Sequence, residues 1–312
     1  MSFSSSVKDE ILKSGASSNC CKHAMAYGML LFSRSFSLSE ISLLTDNATV
    51  ATEYARIVEE LCNIKGNTVV SDAGKYTVSF DEPAERKAIL AAFSASGTER
   101  NLRIDRGNLS NDASAESGEF NCCDAAFIKG AFLSCGTASD PNKSYHMEFV
   151  VPYKALSMDL MKILNDYGIK AKHMVRRYVN VIYIKDSESI EDLLALMGAH
   201  NSALEIMNIK IYKDFRNIAN RRANFENANL SRTANAAFDQ IQAIEKIKSC
   251  GVFPTLSDEL KTIANIRYEN PDASLKDIGE MCDPVLSRSA VNHRLKKIIA
   301  LADTYYKTSD EV

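Results

Sequence analysis

Residue type and spacing suggest two kinds of chemistry in this chain of 312 residues: thiolate chemistry at two cysteine pairs, and anion binding along runs of basic side chains. Cys20 and Cys21 open CCKHAMAYGMLLFSR, and Cys122 and Cys123 open CCDAAFIKGAFLSCG. Four converging thiolates would hold a soft metal, but adjacent cysteines lack the spacer of about two to four residues common in zinc sites. The quartet is therefore read as buried thiols, with no metal ligand and no cofactor expected. The strongest basic run has no acid between Pro284 and Ala302 and carries Arg288, Ser289, Asn292, His293, Arg294, Lys296 and Lys297. Such a set can hold phosphates and read base edges. A second run, Lys210 to Arg232, sets six Lys or Arg, among them Arg216, Arg221 and Arg222, against two acids. A third, Gly168 to Lys185, has Lys170, Lys172, His173, Arg176, Arg177 and Lys185 and no acid. The alternative for each run is a solvated basic face, and that is the reading taken for Arg100, Arg103 and Arg106.

The elements that carry these residues repeat. Cys20 and Cys122 are 102 positions apart, as are Gly28 and Gly130, so one unit occurs twice. In each copy small residues recur at helical spacing (Ala24 and Gly28; Gly130 and Ser134), which strips one face of the helix and lets two such helices approach backbone to backbone. After the first helix come the strand-like FSLSEISLL, the helical TVATEYARIVEELCN, the alternating NTVVS and KYTVSF, and the helical ERKAILAAF. After the second come YHMEFVV, KALSMDLMKILNDYG, IKAKHMV, YVNVIYI and SIEDLLALMG. Period-2 and period-3.6 runs thus alternate in one order, helix, strand, helix, two strands, helix. Alternation places Lys170, Lys172 and Arg176 on one strand face. Residues 3 to 13 form a short leading helix with Ser4, Ser5 or Ser6 as N-cap. The stretch between the repeats, SASGTERNLRIDRGNLSNDASAESGEFN, reads as a loop.

Beyond the repeats the pattern is helical. TANAAFDQIQAIEKIKSCG places Ala237, Ile241, Ile244 and Ile247 on one stripe and stops at Gly251. LSDELKTIANIRYEN aligns Leu260, Ile263 and Arg267. SLKDIGEMC starts with Ser274 and Asp277 in capping-box positions and buries Leu275, Ile278 and Cys282. After the turn DPVL, Ser287 caps a last helix whose inward stripe is Val291, Leu295, Ile298 and Ala302. Two short helices with a tight turn, the second basic and acid-free outward, form a helix-turn-helix pattern.

Composition adds bounds. The chain is 46% hydrophobic and 25% charged with net charge −3, so any signal for nucleic acid is local. No stretch approaches the ~18 apolar residues of a membrane span, and the N-terminus has no signal-peptide pattern, which places the chain in the cytoplasm with no membrane partner. Eight cysteines in this length fit reduced thiols.

The order of the repeat, with its small-residue helix, resembles the LAGLIDADG homing endonuclease fold over residues 15 to 210. The resemblance implies two helices at a pseudo-twofold axis and two sheets forming a saddle for DNA. It also implies an acid near the end of each helix to hold catalytic metal. Aligning Gly28 and Gly130 with the motif's first Gly puts Ser33 and Cys135 at those positions, with Leu31 and Leu133 at the other acidic position. A hydroxyl and a thiol do not supply the charge that hard divalent cations require. The last two helices resemble sigma factor region 4, with Pro284 in place of the turn Gly. Over nearly its whole length the chain is similar to the WhiA family, through MSFSSSVKDE, the two CC helices, KGAFLSCGTASDPNKSYHMEF, MGAHNSALEIMNIKIYKDFRNIANRRANFENANLSRT and SRSAVNHRLKK.

The expected fold class is α+β: a duplicated LAGLIDADG-like domain of two αβαββα repeats, followed by an all-α sigma-region-4-like helix-turn-helix domain. Expected boundaries are 1–110 and 111–212 for the repeats, 213–232 for a basic junction and 233–312 for the C-terminal domain, with the helix-turn-helix at about 274–307. The family resemblance implies a nucleoid-associated regulator of transcription tied to cell division, chromosome segregation and, in sporulating relatives, sporulation. Its partner would be double-stranded DNA, contacted by Arg288, Ser289, Asn292, His293, Arg294, Lys296, Lys297, Arg216, Arg221 and Arg222. No catalytic residue is expected. Two further readings stay open: a residual metal-dependent endonuclease, and a scaffold for a division, segregation or transcription protein. Oligomeric state is not readable.

Overall fold

The computed structural model describes residues 2–16, 18–98, 101–109 and 122–307; Arg100 lies outside them. The chain divides into two compact units, Met1–Lys213 and Asp214–Val312. In the first, α1 (Phe3–Ser14) is capped by Ser2, not by the serines inside it, because only a residue ahead of the first turn can accept from its free N–H groups. The first repeat then runs α2 (Asn19–Leu31), β1 (Ser35–Phe36), β2 (Ile41–Thr45), α3 (Ala48–Cys62), β3 (Asn67–Val70), β4 (Tyr76–Ser79) and α4 (Pro83–Ala92). The second runs α5 (Cys122–Cys135), β5 (Gly136–Ala138), β6 (Met147–Val151), α6 (Lys154–Asp166), β7 (Lys172–Arg176), β8 (Val179–Ile184) and α7 (Ser187–Leu196). Each repeat thus has one strand more than expected, a short edge strand directly after its first helix.

The duplication is complete at the level of pairing. Both sheets are antiparallel, in the orders β1-β2-β4-β3 and β5-β6-β8-β7. Leu43 opposes Val78 in the first, and Phe149 opposes Ile182 in the second. These residues face inward, against helical stripes such as Val50, Tyr54, Ile57 and Val58 of α3. At the centre α2 and α5 cross where Gly28 and Gly130 lie. A Cβ on Gly28 would overlap the Phe127 carbonyl, and one on Gly130 the Met25 carbonyl, so only hydrogen permits this approach. The Ser134 hydroxyl donates to Met29 O at 2.8 Å across the same contact.

A single helix, α8 (His200–Ser249), crosses from the first unit into the second. Its start is capped in trans by Glu10 of α1, which accepts from Asn201 N at 2.6 Å and from Ser202 N and Oγ at 3.0 and 2.6 Å. The stretch 213–232, expected as a basic junction, is part of this one continuous helix. It contains neither Gly nor Pro, and Asn costs somewhat less in a helix than Gly and far less than Pro. Every residue from 214 to 236 is exposed, so this part has no packed face.

In the second unit, α8 is followed by α9 (Asp258–Glu269), α10 (Leu275–Glu280) and α11 (Arg288–Lys307). Their core joins Ile244, Ile247, Ile263, Ile278, Val291, Leu295 and Ile298. On α8 the buried stripe is Gln240, Ala243, Ile244 and Ile247, which leaves Ala237 and Ile241 half-buried, one residue away from the expected line. The capping box of Ser274 and Asp277 is formed, and Ser287 accepts from Ala290 N. Gly279 sits against Leu286 O with no room for a Cβ, which seats the turn upon α10. Among the described residues, no helix is long and apolar enough to cross a membrane.

Candidate nucleic-acid interface

In the first unit the outer strand faces lie open. On the first sheet Leu44 is exposed and Thr77 and Ser79 are half-buried, while Ser42 on the same face is buried; on the second, Lys172, Met174 and Arg176 are exposed on edge strand β7. Lys172 and Arg176 share that face, but Lys170 precedes the strand and pairs with Asp186 at 3.5 Å. Arg176 meets Glu148 of β6 at 2.9 Å, a neighbour that the local sequence does not reveal. Burial works against charge on Glu148, and hydrogen bonds from Arg176 and His146 nevertheless hold its carboxyl below the usual range. At the hairpin tip Arg177 and Tyr178 both have positive φ, 51° and 67°, and Tyr178 is 99% exposed. Two successive left-handed residues make a tight primed turn that projects an aromatic ring and a guanidinium outward. The sequence signal for this was the dipeptide between two alternating runs, which basic-residue counting passed over.

Both axial helices end at a cavity of about 600 Å³ whose lining includes Ser33, Arg34, Cys135, Lys8, Asp46 and Lys75. Ser33 is buried and donates to Leu30 O at 2.6 Å. Desolvation pushes the Cys135 thiol up to about 12, and burial lowers the Lys8 ammonium. A hard cation here would meet one lining carboxylate, Asp46, and the ammonium of Lys8. These residues do not fit the paired metal ions that a LAGLIDADG nuclease uses. The inter-repeat Arg103 and Arg106 are exposed, as expected, and each also finds an acidic partner. Arg103 forks Asp159 at 2.6 and 3.0 Å, and Arg106 reaches Asp124 at 3.4 Å.

In the second unit α11 presents Arg288, Ser289, His293, Lys296 and Lys297 to solvent, with Asn292 half-buried beside them. Arg294 departs from the expected set. It turns toward α9 and pairs with Glu259 at 2.9 Å, because its helical position flanks the buried Val291 and Leu295. Arg288 and Asn292 also line a cavity of about 530 Å³ with Arg232, Arg267 and Lys276, and no acid lines it. Arg267, placed by its spacing on an apolar stripe, is 2% exposed. It donates to the carbonyls of Ala273, Pro271 and Asn270 at 2.7, 3.2 and 3.4 Å. Arg216 and Arg221 on α8 are exposed, and Arg222 pairs with Glu226 one turn on. Arg232 was counted only as the end of the basic run from Lys210, and Lys276 went unnoticed, because they stand on different helices and only packing brings them beside Arg288.

Two pseudo-symmetric repeats around close-packed axial helices, joined to an all-α domain, define an α+β LAGLIDADG-like protein with a C-terminal helix-turn-helix module. The WhiA LAGLIDADG-like domain matches residues 124–216, and the WhiA C-terminal HTH domain matches residues 219–302. The probable cell division protein WhiA of Alkaliphilus metalliredigens is 33% identical over 314 aligned residues, covering 97% of this chain and 98% of the relative. That of Clostridium beijerinckii is 37% identical over 314, with the same coverage of 97% and 98%. The chain belongs to the WhiA family. The crystal structure of full-length DUF199/WhiA from Thermatoga maritima, 22% identical, matches 97% of this chain and 99% of that one with a TM-score of 0.58, a likeness of fold.

Proposed function

We propose that this chain is a sequence-specific, double-stranded-DNA-binding regulator of transcription that acts at the nucleoid in cell division and chromosome segregation, with no catalytic activity of its own. The observation that carries the proposal is the acid-free basic cleft in the second unit, where Arg232, Lys276 and Arg288 converge beside Asn292. Helix α11 enters the major groove in this reading. Asn292 and His293 lie in its first two turns and read base edges, whereas Arg288, Lys296 and Lys297 hold phosphates. Arg216, Arg221 and Arg222 add backbone contacts from α8. The charge balance of the saddle cavity supports a scaffold without cleavage.

The test is binding of the full chain to genomic fragments, followed by footprinting and a salt titration. Several phosphate contacts require log K to fall with log[salt] at ~0.9 per contact. A flat salt dependence, or no preference among fragments, would sink the proposal. A protein partner is a second reading, supported by the exposed Phe215, Ile218, Phe225 and Leu230 on α8. Replacing Phe215 and Phe225 with Ser should then impair division in cells while DNA affinity is kept; unimpaired division would discard it.

A further inference from the structure

The four cysteines of the two repeats, distant in sequence, meet in the fold. Cys20 and Cys21 lie in the first turn of α2, and Cys122 and Cys123 open α5. All four sulfurs lie within 4.8 Å of one another. The expectation of buried thiols holds for Cys21 and Cys123 but not for the other two: Cys122 is exposed and Cys20 half-buried. Burial of small apolar side chains therefore does not account for the arrangement. We propose that Cys20, Cys21, Cys122 and Cys123 form a tetrathiolate site for one soft divalent cation, zinc by preference, which fastens the two repeats together at the N-terminal ends of their axial helices.

Geometry favours a single ion. Zinc bonds thiolate at ~2.3 Å, so the edge of its sulfur tetrahedron is about 3.8 Å. Sulfurs at most 4.8 Å apart need to close by no more than about 1 Å. An iron–sulfur cluster distributes its thiolates over several iron atoms and needs a wider set. A tetrahedron also contains a twofold axis that exchanges one pair of corners with the other, and the pseudo-twofold relation of α2 and α5 supplies two pairs of ligands in that way. The spacer rule that argued against metal describes two ligands drawn from one knuckle of chain. Here each pair comes from a separate helix.

The donor set and its surroundings agree with this choice. Sulfur alone selects zinc, or another soft ion, over magnesium or calcium. Binding converts four thiols to thiolates, releases four protons and leaves a centre of charge −2. Both helices direct their N-terminal partial positive charge at it. A closed set of four protein ligands is the structural rather than the catalytic kind of site.

The experiment uses the full chain purified under reducing conditions without chelator. Metal analysis should give about one zinc per chain. Cobalt(II) added to metal-stripped protein should give the sulfur charge-transfer and intense visible bands of tetrahedral cobalt thiolate. The double variant Cys20→Ser/Cys122→Ser, which alters only the two accessible positions, should lose both signals while keeping its helical circular dichroism, and Cys250→Ser should keep both. Three results would overturn the proposal. They are a folded, reduced chain that neither carries zinc nor develops cobalt–thiolate bands, stoichiometric zinc that survives in the double variant, and native mass spectra in which the four cysteines are paired as disulfides.

Discussion

Replacing Gly28 with Ala perturbs the contact on which the first unit depends. The added Cβ would overlap Phe127 O and stand 3.0 Å from Ala131 N, and the reciprocal change at Gly130 would overlap Met25 O and stand 2.8 Å from Met29 N. Ordinary contact begins at 3.4 Å, so the nitrogen at Gly130 alone demands at least 0.6 Å of separation, and the carbonyl demands more. The obstructing atoms are backbone in two packed helices, which no rotamer change can relieve. Overpacking of this kind costs ~1 to 3 kcal/mol, with the upper end expected here. Ala gains ~1 kcal/mol over Gly in a helix. The net loss is about 2 kcal/mol for each substitution, or roughly 4 to 8 °C in Tm for a unit of this size. Once one methyl has parted the helices the second meets less resistance, so the double variant should lose less than the sum. Thermal unfolding followed by circular dichroism checks both statements. A Gly28→Ala chain that melts with or above the parent, or a double variant with strictly additive loss, would refute the account of the axial contact.

Four further outcomes are expected. Asn292→Ala or His293→Ala should relax base preference at one or two operator positions, at ~1 to 3 kcal/mol per contact, in competition binding with a randomised operator; unchanged profiles in both would place base reading elsewhere. Lys297→Ala should weaken binding to all sequences alike and lower the salt slope, whereas Arg294→Ala, whose partner is Glu259, should leave that slope as it is. Supercoiled plasmid incubated with the chain and Mg²⁺ or Mn²⁺ should remain uncut; nicking that survives repurification and disappears in Asp46→Asn would reverse the reading of the saddle cavity. Burial opposes charge on Glu10, but hydrogen bonds from Ser202 and Asn201 hold its carboxyl below the ordinary value, so the cap stabilises above that value and its contribution is lost as pH falls through the lowered one. Glu10→Gln should therefore cost up to ~1 kcal/mol at neutral pH and little in acid, as read by Tm against pH.

The sequence alone determined the duplication, the helical and strand periods within it, and the stripe of Val291, Leu295, Ile298 and Ala302 that turns the basic side of α11 outward. Those features depend on residues near one another in the chain, where a period of 2 or 3.6 and a capping residue are direct consequences of backbone geometry. The sequence left 213–232 as a basic junction between domains, and its lack of Gly and Pro is what lets α8 run through it unbroken. Tertiary structure alone decided the rest. Glu148 offsets Arg176 from another strand, Glu259 takes Arg294 out of the outward set, and Arg232, Lys276 and Arg288 become one cleft though they lie on three helices. The cysteine pairs show the division most plainly. Their repeat distance of 102 residues is written in the chain, but the meeting of four sulfurs within 4.8 Å requires the close crossing that Gly28 and Gly130 permit, since distances between side chains on separate helices are fixed only when the helices pack.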